Sequence, residues 1–265
     1  MVNPETMRAP LFVPASRPDR FAKAAASGAD AIILDLEDAV ARDDKEAARA
    51  ALRCDFTELP VIVRINAFGT EWHKDDLAAV RALPVATVML PKSENPLEVA
   101  ATCLALKGHA PVLALIETAL GMSQARVIAA LPGVARLVFG SVDYCADLGC
   151  AHLHDVLLPA RAELVLASRL AQIAAPVDGV TMQLSELTET FDDAAHARAL
   201  GMTGKLCIHP KQTAEVHRAF APSVAEVDWA IRVLASGDGA VKVDGKMVDE
   251  PVRRSARAIL AAAKT

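Results

Sequence analysis

The chain has 265 residues, of which 53% are hydrophobic and 4% aromatic, and its formal net charge is −5 at pH 7. This composition excludes a disordered chain, and the length is sufficient for one large domain with a sizeable core. No apolar stretch has the length of a membrane span, and no block of Lys or Arg stands out, which argues against a membrane or nucleic acid as partner.

Cysteine use and the first residues predict a cytoplasmic protein. Residues 1–5 contain no basic region followed by an apolar run, so we expect no signal peptide. The five cysteines are an odd number and most lie in or beside apolar segments, which predicts reduced, mostly buried thiols. Cys145, Cys150, His152 and His154 are close in sequence, but their spacing does not match a structural zinc pattern.

Apolar runs typical of buried strands alternate with Ala-rich segments of helical spacing. The runs are continuously apolar and rich in Val, Leu and Ile, as expected for strands of a parallel sheet. In chain order the predicted strands are 10–15, 31–37, 61–66, 87–91, 112–117, 137–143, 177–182 and 205–209. The predicted helices are 20–27, 44–52, 75–83, 96–106, 123–131, 159–173, 188–200 and 210–220. Eight strand–helix repeats predict a (β/α)₈ TIM barrel of the α/β class.

A doubly wound parallel sheet is the alternative fold for this alternation. Such sheets usually carry a Gly-rich phosphate-binding turn after the first strand. Here the first predicted strand continues into residues 14–18, Pro-Ala-Ser-Arg-Pro, which contain no glycine. No Walker-type Gly-Lys-Ser loop occurs in the chain, and we therefore favour the barrel.

The end of the chain exceeds what a barrel needs. We expect residues 1–222 to form the TIM barrel and 223–265 to be an extension of the same domain, acting as a lid or as an oligomer contact. The Asp244-Gly245 pair is a strong hairpin signal within an alternating run. The predicted elements of the extension are a helix at 223–235, a hairpin at 241–248 and a helix at 251–263.

Charged and polar side chains follow six of the eight predicted strands. In a TIM barrel these carboxyl ends lie on one face, where the active site is found. The residues are Asp35, Glu37, Asp38, Arg64, Asn66, Lys92, Glu117, Asp143 and His209. A self-neutralising ion network that closes the barrel is the alternative, but a folded chain gains little stability from burying so many charges.

The acids among these residues predict a magnesium site. Glu117 and Asp143 each end a buried run, and together they can give Mg²⁺ two carboxylate oxygens. The remaining positions around the ion would be open to water or substrate, as magnesium prefers. We expect Asp35, Glu37 and Asp38 to hold water molecules bound to the metal.

The bases predict contacts to an acidic substrate. Arg64 offers a rigid fork of donors that matches a substrate carboxylate. Lys92 is expected either to balance the nearby acids or to touch the substrate. His209 precedes Pro210, and we expect it to fix the last turn of the barrel, with ligand contact as the alternative.

Eight motifs, spread over nearly the whole chain, carry a resemblance to a known family. They are LFVP at 11–14, LDLEDAV at 34–40, VRIN at 63–66, LPK at 90–92, LIET at 115–118, FGSVD at 139–143, GKLCIHPKQ at 204–212 and GKMVD at 245–249. In these motifs and their order the chain resembles the citrate lyase beta subunit (CitE-like) family, in the HpcH/HpaI aldolase and malyl-CoA lyase superfamily. The resemblance implies a (β/α)₈ barrel, bound Mg²⁺ and assembly as a homotrimer or hexamer.

The same resemblance implies residue roles. Glu117 and Asp143 match the metal ligands, and Arg64 matches the residue that anchors the 2-oxo acid. Asp249 matches an Asp on a C-terminal lid that, in malyl-CoA lyases, reaches the active site of a neighbouring subunit. The alternative for Asp249 is a residue that merely begins the helix at 251–263. The residues that match contacts to the coenzyme A phosphates are Arg17, Arg20 and Lys23.

The activity implied is a carbon–carbon lyase reaction. A 3-hydroxy-3-carboxyl acyl thioester of the citryl-, malyl- or citramalyl-CoA type would be cleaved to a 2-oxo acid and an acetyl thioester. Arg64 would stabilise charge on the oxo-acid side, and Asp249 would protonate the enolate. Two alternatives stay open: condensation or thioester hydrolysis at the same site, as in malate synthase, and a subunit of a carrier complex that is inactive alone. The thioester could be carried by coenzyme A or by an acyl carrier protein.

Three departures from the family pattern bear on specificity. Ala15 stands where the family usually has glycine, which changes how closely a thioester approaches the first loop. The strand-seven region at 178–183 has less acidic and aromatic character than usual. Aldolases for free hydroxy acids usually have His where this chain has Asp38, which favours the thioester branch.

Overall fold

The computed structural model describes residues 6–263, so the segment 1–5, on which the expectation of no signal peptide rests, lies outside the described residues. The chain divides into two compact units, with the boundary between His217 and Arg218. None of the helices in the described range is both long and apolar enough to cross a membrane.

Eight parallel strands form the sheet of the first unit, and neighbours in sequence are neighbours in the sheet. The strands are β1 (Pro10–Pro14), β2 (Ala31–Asp35), β3 (Val61–Arg64), β4 (Thr87–Leu90), β5 (Val112–Ile116), β6 (Val134–Phe139), β7 (Ala174–Asp178) and β8 (Gly204–Lys205). Just beyond β8, Cys207 pairs with Leu11 of β1. The Cys207 N–H donates to Pro10 O over 2.9 Å, and Phe12 N–H donates to Cys207 O over 2.9 Å. These bonds close the sheet, and the predicted (β/α)₈ barrel is confirmed.

Helices connect the strands. They are α1 (Phe21–Ala25), α2 (Lys45–Ala50), α3 (His73–Arg81), α4 (Pro96–Ala105), α5 (Ala119–Ala129), α6 (Ser141–Leu148), α7 (His154–Leu170), α8 (Leu187–Ala199) and α9 (Gln212–Phe220). Two short 3₁₀ turns, Pro18–Arg20 and Arg42–Asp44, precede α1 and α2. Each predicted helix of this unit overlaps an observed one, whereas α6 was not predicted.

The predicted sixth strand was wrong at its end. It was placed at 137–143, but β6 stops at Phe139 and Asp143 lies in the first turn of α6. The break occurs at Gly140, whose φ of −89° and ψ of 71° are neither extended nor helical. The helix ends at Gly149, which adopts the left-handed conformation with φ 67°. Asp143 therefore follows its strand on a short helix rather than ending the strand.

The barrel interior is a packed apolar layer that places the polar layer above it. Inward-facing side chains include Ile33, Ile62 and Leu115, each almost fully buried. Side chains alternate along a strand with a period of two, so residues two positions further on face the same way. Asp35, Arg64 and Glu117 occupy those positions, which directs their side chains toward the barrel axis at the carboxyl ends of the strands.

The second unit has its own small core. It contains α10 (Val224–Ala235), the antiparallel hairpin of β9 (Val241–Val243) and β10 (Lys246–Val248), and α11 (Glu250–Ala262). Asp244 and Gly245 turn the hairpin with positive φ angles of 49° and 79°, as their sequence predicts. Ile259 and Leu260 of α11 pack against the core of this unit. The apolar face of α11 is thus used within the tail itself.

Candidate active site

Arg64 and Asp35 form the best-defined ion pair of the barrel mouth. The two residues are direct partners in the register of β2 and β3. Arg64 Nε and Nη2 donate to the two carboxylate oxygens of Asp35, each over 2.7 Å. Arg64 Nη1 lies 3.0 Å from Glu37 Oε2, and the guanidinium stacks over the Phe12 ring at 4.8 Å. Burial by itself would lower the pKa of Arg64. The hydrogen bonds to Asp35 and the charges of Asp35 and Glu37 outweigh burial and raise that pKa above its usual value.

This pairing changes the role that the sequence suggested for the Arg64 fork. The forked edge formed by Nε and Nη2 is held by Asp35, while Nη1 lies beside Glu37. Arg64 is still 11% exposed and lines the central cavity. A substrate carboxylate would therefore meet a guanidinium whose direction is fixed by Asp35 and Phe12, rather than an unoccupied fork.

Glu117 is a buried carboxylate directly after β5. Thr118 caps α5 by accepting the Gly121 N–H over 3.0 Å, so the strand ends abruptly and leaves Glu117 facing inward. Glu117 is 2% exposed, and its Oε1 accepts the backbone N–H of Lys92 over 2.7 Å. Burial, helped by the negative charges of Glu37 and Asp143, raises the pKa of Glu117 to about 8.

Gly140 makes room for Glu117. A Cβ at this position would lie 2.4 Å from Glu117 Cβ and 2.6 Å from its Oε2. Only a glycine fits against the carboxylate there without displacing it. Gly140 belongs to the FGSVD motif of the sequence. Its contact with Glu117, 23 positions earlier, could not be inferred from the spacing of the two residues.

A cavity of about 240 Å³ collects most of the predicted site residues. Its polar lining residues are Asp35, Asp38, Arg64, Glu117, Ser141 and Asp143. Much of the rest of the wall is apolar and includes the side chains of Phe12, Leu115, Val180 and Leu206. The cavity therefore has a polar side and an apolar side, as small-molecule sites commonly do.

Glu37 and Lys92 stand beside this cavity. Lys92 Nζ donates to Glu37 Oε1 over 2.8 Å, so the lysine balances an acid, the first of its two predicted roles. Burial raises the pKa of Glu37, while Arg64 and Lys92 oppose that rise. The oxygens of Asp35 also accept backbone N–H groups of Glu37 and Ala39, at 2.9 and 3.1 Å. Asp35 and Glu37 are thus occupied with protein donors in this structure.

The acids of the cavity fit a divalent cation. No group of three or more His, Cys, Asp or Glu side chains in residues 6–263 is arranged to hold a metal. Magnesium does not need such a group, because it keeps several water ligands and often takes only one or two carboxylates. Glu117 and Asp143 could supply those two, and burial together with the nearby acids Glu37 and Asp143 raises the pKa of Glu117, as expected for a carboxylate that a cation would stabilise.

A buried lysine that the sequence did not indicate supports the β2 loop. Lys45 Nζ donates to Leu36 O over 2.6 Å, to Glu37 O over 2.7 Å and to Asn66 Oδ1 over 2.7 Å. Asp76 in turn accepts from the side chain of Asn66 over 2.6 Å. These bonds tie the loop that carries Glu37 to the end of β3. Lys45 gave no signal in sequence because it lies in the charged run at 42–46, which is typical of an exposed helix start.

The residues expected at the coenzyme A phosphates are only partly together. A second cavity, of about 350 Å³, is lined by Arg20, Lys23 and His209, and it shares Phe12 with the central cavity. Arg17 is not among its lining residues. The Arg17 guanidinium forms a bidentate pair with Asp19, at 2.9 and 2.7 Å, on the surface.

Asp249 belongs to the second unit, where it is the N-cap of α11. Its Oδ1 accepts the Val252 N–H over 3.3 Å. This is the local geometry of the helix-start alternative. A cap does not by itself exclude a role in proton transfer.

A buried ion cluster at the ends of β7 and β8 has a structural role. Asp178 at the end of β7 is fully buried and pairs with Arg161 over 2.8 Å and with Lys205 over 3.2 Å. Burial opposes ionisation, but the two cations hold the pKa of Asp178 below its usual value. The cluster joins α7, β7 and β8.

The fold and the cavity define a (β/α)₈ enzyme with a carboxylate-rich site at the barrel mouth. The HpcH/HpaI aldolase/citrate lyase family matches residues 8–210. The chain therefore belongs to this family, which is a family of lyases.

Similar proteins cover nearly the whole chain. A citrate lyase subunit beta-like protein of Mycobacterium tuberculosis is 40% identical over 94% of this chain and 93% of its own length. A (3S)-malyl-CoA thioesterase of Cereibacter sphaeroides is 36% identical over 97% and 94%. The structure of CitE from M. tuberculosis in complex with magnesium, acetoacetate and coenzyme A superposes with a TM-score of 0.89 at 38% identity, covering 98% of this chain and 100% of that one.

Proposed function

We propose that this protein is a magnesium-dependent carbon–carbon lyase. It cleaves a 3-hydroxy-3-carboxyl acyl thioester of the citryl-, malyl- or citramalyl-CoA type into a 2-oxo acid and an acetyl thioester. The observation that carries the proposal is Glu117, a carboxylate with 2% exposure that faces the same cavity as Asp143 and Arg64. The solved relatives bound to magnesium with acetoacetate and coenzyme A, or with oxaloacetate, support it.

Glu117 and Asp143 are the residues that would hold the metal. When bound, magnesium supplies Lewis acidity that lowers the pKa of a substrate hydroxyl. Glu117 is kept in place by the Lys92 N–H on one side and by Gly140 on the other. Asp38 lines the cavity and is exposed, so it is the acid best placed to contact water molecules around the ion.

Arg64 is the residue that would bind the oxo-acid end of the substrate. Its guanidinium is oriented by Asp35 and by the Phe12 ring, which leaves Nη1 beside Glu37. A fixed cation stabilises the negative charge of the carboxylate without reorganisation during the reaction. Lys92 contributes by neutralising Glu37, and contact with substrate is its second role in this proposal.

Arg20 and Lys23 would hold the phosphates of coenzyme A. Both side chains are exposed and line the neighbouring cavity, and neither forms an ion pair with another side chain of residues 6–263. Two uncommitted cations can attract a phosphate strongly even in an acidic protein. Arg17 would contribute less, because its charge is already paired with Asp19. An acyl carrier protein with a phosphopantetheine arm remains the alternative carrier.

Asp249 would protonate the enolate that the cleavage leaves on the acetyl thioester. For this it must be protonated, which burial on closure of a lid would favour. We place it at the active site of a neighbouring subunit in a homotrimer or a dimer of trimers. Large apolar side chains exposed on the barrel helices support such an assembly, among them Leu97 at 80% and Leu104 at 71% on α4. A cytoplasmic location agrees with the five free cysteines.

The experiment is a substrate panel with the purified protein and Mg²⁺. Citryl-, malyl- and citramalyl-CoA are supplied in turn, and the 2-oxo acid and acetyl-CoA are measured together. Formation of both in equal amounts, lost on metal removal, is the expected result. Free hydroxy acid and coenzyme A without an oxo acid would instead show hydrolysis, the second candidate, which the (3S)-malyl-CoA thioesterase relatives favour. Activity only after addition of carrier subunits would identify a complex component.

A further inference from the structure

A third cavity lies beside the reaction cavity and is not used by the proposed function. It measures about 660 Å³, and its lining includes His152, His154, Arg161 and Asp193. It adjoins the reaction cavity, because Met182 lines both. His152 Nε2 lies 2.8 Å from Ser141 Oγ, and Ser141 lines the reaction cavity together with Glu117 and Asp143.

The two members of this pair differ in their access to solvent. Ser141 is 1% exposed, whereas His152 is exposed. The Ser141 hydroxyl packs so tightly against Gly179 that a Cβ there would lie 2.1 Å from Ser141 Oγ. The Oγ atom is therefore held in one position, within hydrogen-bond distance of the imidazole, on a residue that lines the reaction cavity.

We propose that Ser141 and His152 form a proton relay that carries the proton of the substrate hydroxyl from the reaction cavity to solvent. The proposal rests on the lyase function proposed above and names the base that this reaction needs. A cleavage of this kind must remove a proton from the hydroxyl before or while the carbon–carbon bond breaks. Glu117 and Asp143 are unsuited to that task because they would hold the metal.

The proton and electron balance of the step is complete within the proposed reaction. The hydroxyl proton passes to Ser141 Oγ as the Ser141 proton passes to His152 Nε2. The O–H bonding pair becomes the second bond of the oxo-acid carbonyl, and the carbon–carbon bonding pair moves into the thioester enolate. The doubly protonated His152 then loses one proton to solvent and regains its Nδ1–H form by exchange with water before the next turnover. The enolate takes one proton from the acid proposed above, Asp249, which is reprotonated from solvent.

The charges around His152 favour the neutral imidazole that such a relay requires. Burial of part of the ring and the cations Arg161 on α7 and Lys205 on β8 lower the pKa of His152. Asp193 on α8 and Asp178 on β7 oppose that fall. The neutral form with its proton on Nδ1 leaves Nε2 free to accept from the Ser141 hydroxyl.

The first test reads the tautomer of His152 without any substrate. Protein labelled with ¹⁵N-histidine is titrated by NMR between pH 6 and 9, and the variant His152→Gln assigns the signals. The relay requires an unprotonated Nε2 in the neutral ring, with a coupling or shift that changes in Ser141→Ala. A neutral ring with its proton on Nε2 throughout would make His152 a donor to Ser141 and overturn the relay.

The second test measures cleavage. Ser141→Ala and His152→Gln are each expected to lower kcat about 100-fold with little change in KM, as for loss of a general base. The double variant should be no slower than either single one, because both residues serve one step. The acidic limb of the kcat pH profile, where protonation of His152 would stop the relay, should vanish in both. His154→Gln is the control, since His154 lies in the same cavity but pairs with Asp193 over 2.6 Å.

The outcomes separate the relay from the reaction that it serves. Absence of cleavage by the wild-type protein on every thioester overturns the lyase function, and the relay with it. Normal kcat in folded Ser141→Ala and His152→Gln proteins, with wild-type cleavage intact, overturns the relay alone. Equal losses in His154→Gln would also overturn it, because they would indicate damage to the cavity rather than loss of a specific path.

Discussion

The backbone N–H of Lys92 donates to Oε1 of Glu117 over 2.7 Å, across a separation of 25 residues. Lys92 can present this N–H because it adopts a left-handed conformation with φ 47°, which is unusual for a residue with a side chain. The same residue reaches Glu37 with its Nζ. Strain at a single backbone position thus directs a donor to one acid and a cation to another, as often occurs where a site is pre-organised.

Magnesium binding should release a proton from Glu117. Its pKa of about 8, against a usual 4.5, means that the metal-free folded protein holds a proton that the unfolded chain has lost between those pH values. Without metal, stability should therefore fall as the pH rises from about 4.5 to about 8, and the Mg²⁺ affinity should rise up to 10-fold per pH unit in that window. Calorimetry in buffers of different ionisation enthalpy measures the released proton.

Glu117→Gln is the matching variant for this prediction. It keeps the shape of the side chain but cannot ionise, so metal-free stability should lose its dependence on pH in that window, and Mg²⁺ binding should be lost. Glu163→Gln serves as control, because Glu163 pairs with Arg126 on the surface and does not line the central cavity. Unchanged magnesium affinity in Glu117→Gln would remove this residue from the metal site.

Gly140→Ala should displace Glu117 and weaken magnesium binding at least 10-fold. The φ of −89° is accessible to alanine, so the effect arises from the 2.4 Å approach to Glu117 Cβ and not from backbone strain. Gly108→Ala is the contrasting control, since its φ of 77° makes alanine strained while nothing lies within 4 Å of the added Cβ. We expect the control to lose stability but to keep its magnesium affinity, and the reverse pattern would contradict this role of Gly140.

Arg64→Lys should lower kcat/KM about 100-fold, although the charge is kept. Lysine cannot make the two parallel bonds to Asp35 and leaves that buried acid incompletely paired, and charge-assisted contacts of this kind are worth about 1.5–3 kcal/mol. Arg126→Lys is a geometric match, because Arg126 forms a two-bond pair with Glu163 at 2.6 and 2.8 Å on the surface. It should cost little stability and no activity, because solvent screens this exposed pair. Steady-state kinetics and urea unfolding of both variants decide the matter.

Removal of the Arg20 and Lys23 charges should raise KM for coenzyme A thioesters about 10-fold or more, with a smaller effect at high salt. A pantetheine thioester, which lacks the nucleotide phosphates, should be cleaved equally well by wild type and variant. Arg17→Ala should change KM less, because the Arg17 charge is already paired with Asp19. Equal effects on both kinds of thioester would place the phosphates elsewhere.

Asp249→Asn should separate the cap from the acid. Asparagine is as good an N-cap as aspartate, so α11 should remain as stable, but the amide cannot deliver a proton. We expect at least a 100-fold loss of kcat with an unchanged melting temperature of the tail. Full activity in Asp249→Asn, together with a loss of stability in Asp249→Ala, would show that Asp249 acts only as the N-cap of α11.

Subunit mixing tests whether Asp249 acts on a neighbouring barrel. Asp249→Asn and Glu117→Gln proteins, each expected to be inactive, are combined under conditions that exchange subunits. In a mixed oligomer one active site regains both residues from different chains, and a fraction of the activity should return. No recovery, in mixed oligomers demonstrated by mass spectrometry, would contradict an arrangement across subunits.

The barrel itself could be predicted from the sequence, because alternation of buried strands and Ala-rich helices is a local property repeated eight times. The rule that side chains alternate along a strand also places Asp35, Arg64 and Glu117 at one mouth once the strands are recognised. The end of β6 was mistaken because the apolar run from 137 to 142 continues through Gly140 into α6. Hydrophobicity alone does not distinguish a buried strand from the first turn of a helix in so short a run.

Only the tertiary structure decided which partner each polar group takes. Asp35 occupies the fork of Arg64, Gly140 receives the carboxylate of Glu117, and Ser141 meets His152. Each contact joins residues that are distant in sequence or separated by a helix, and it depends on side-chain directions at sub-ångström scale. The sequence by itself determined which charges share the barrel mouth, since strand order and period two suffice for that. Their pairing is set by strand register and backbone strain, which exist only in the folded chain.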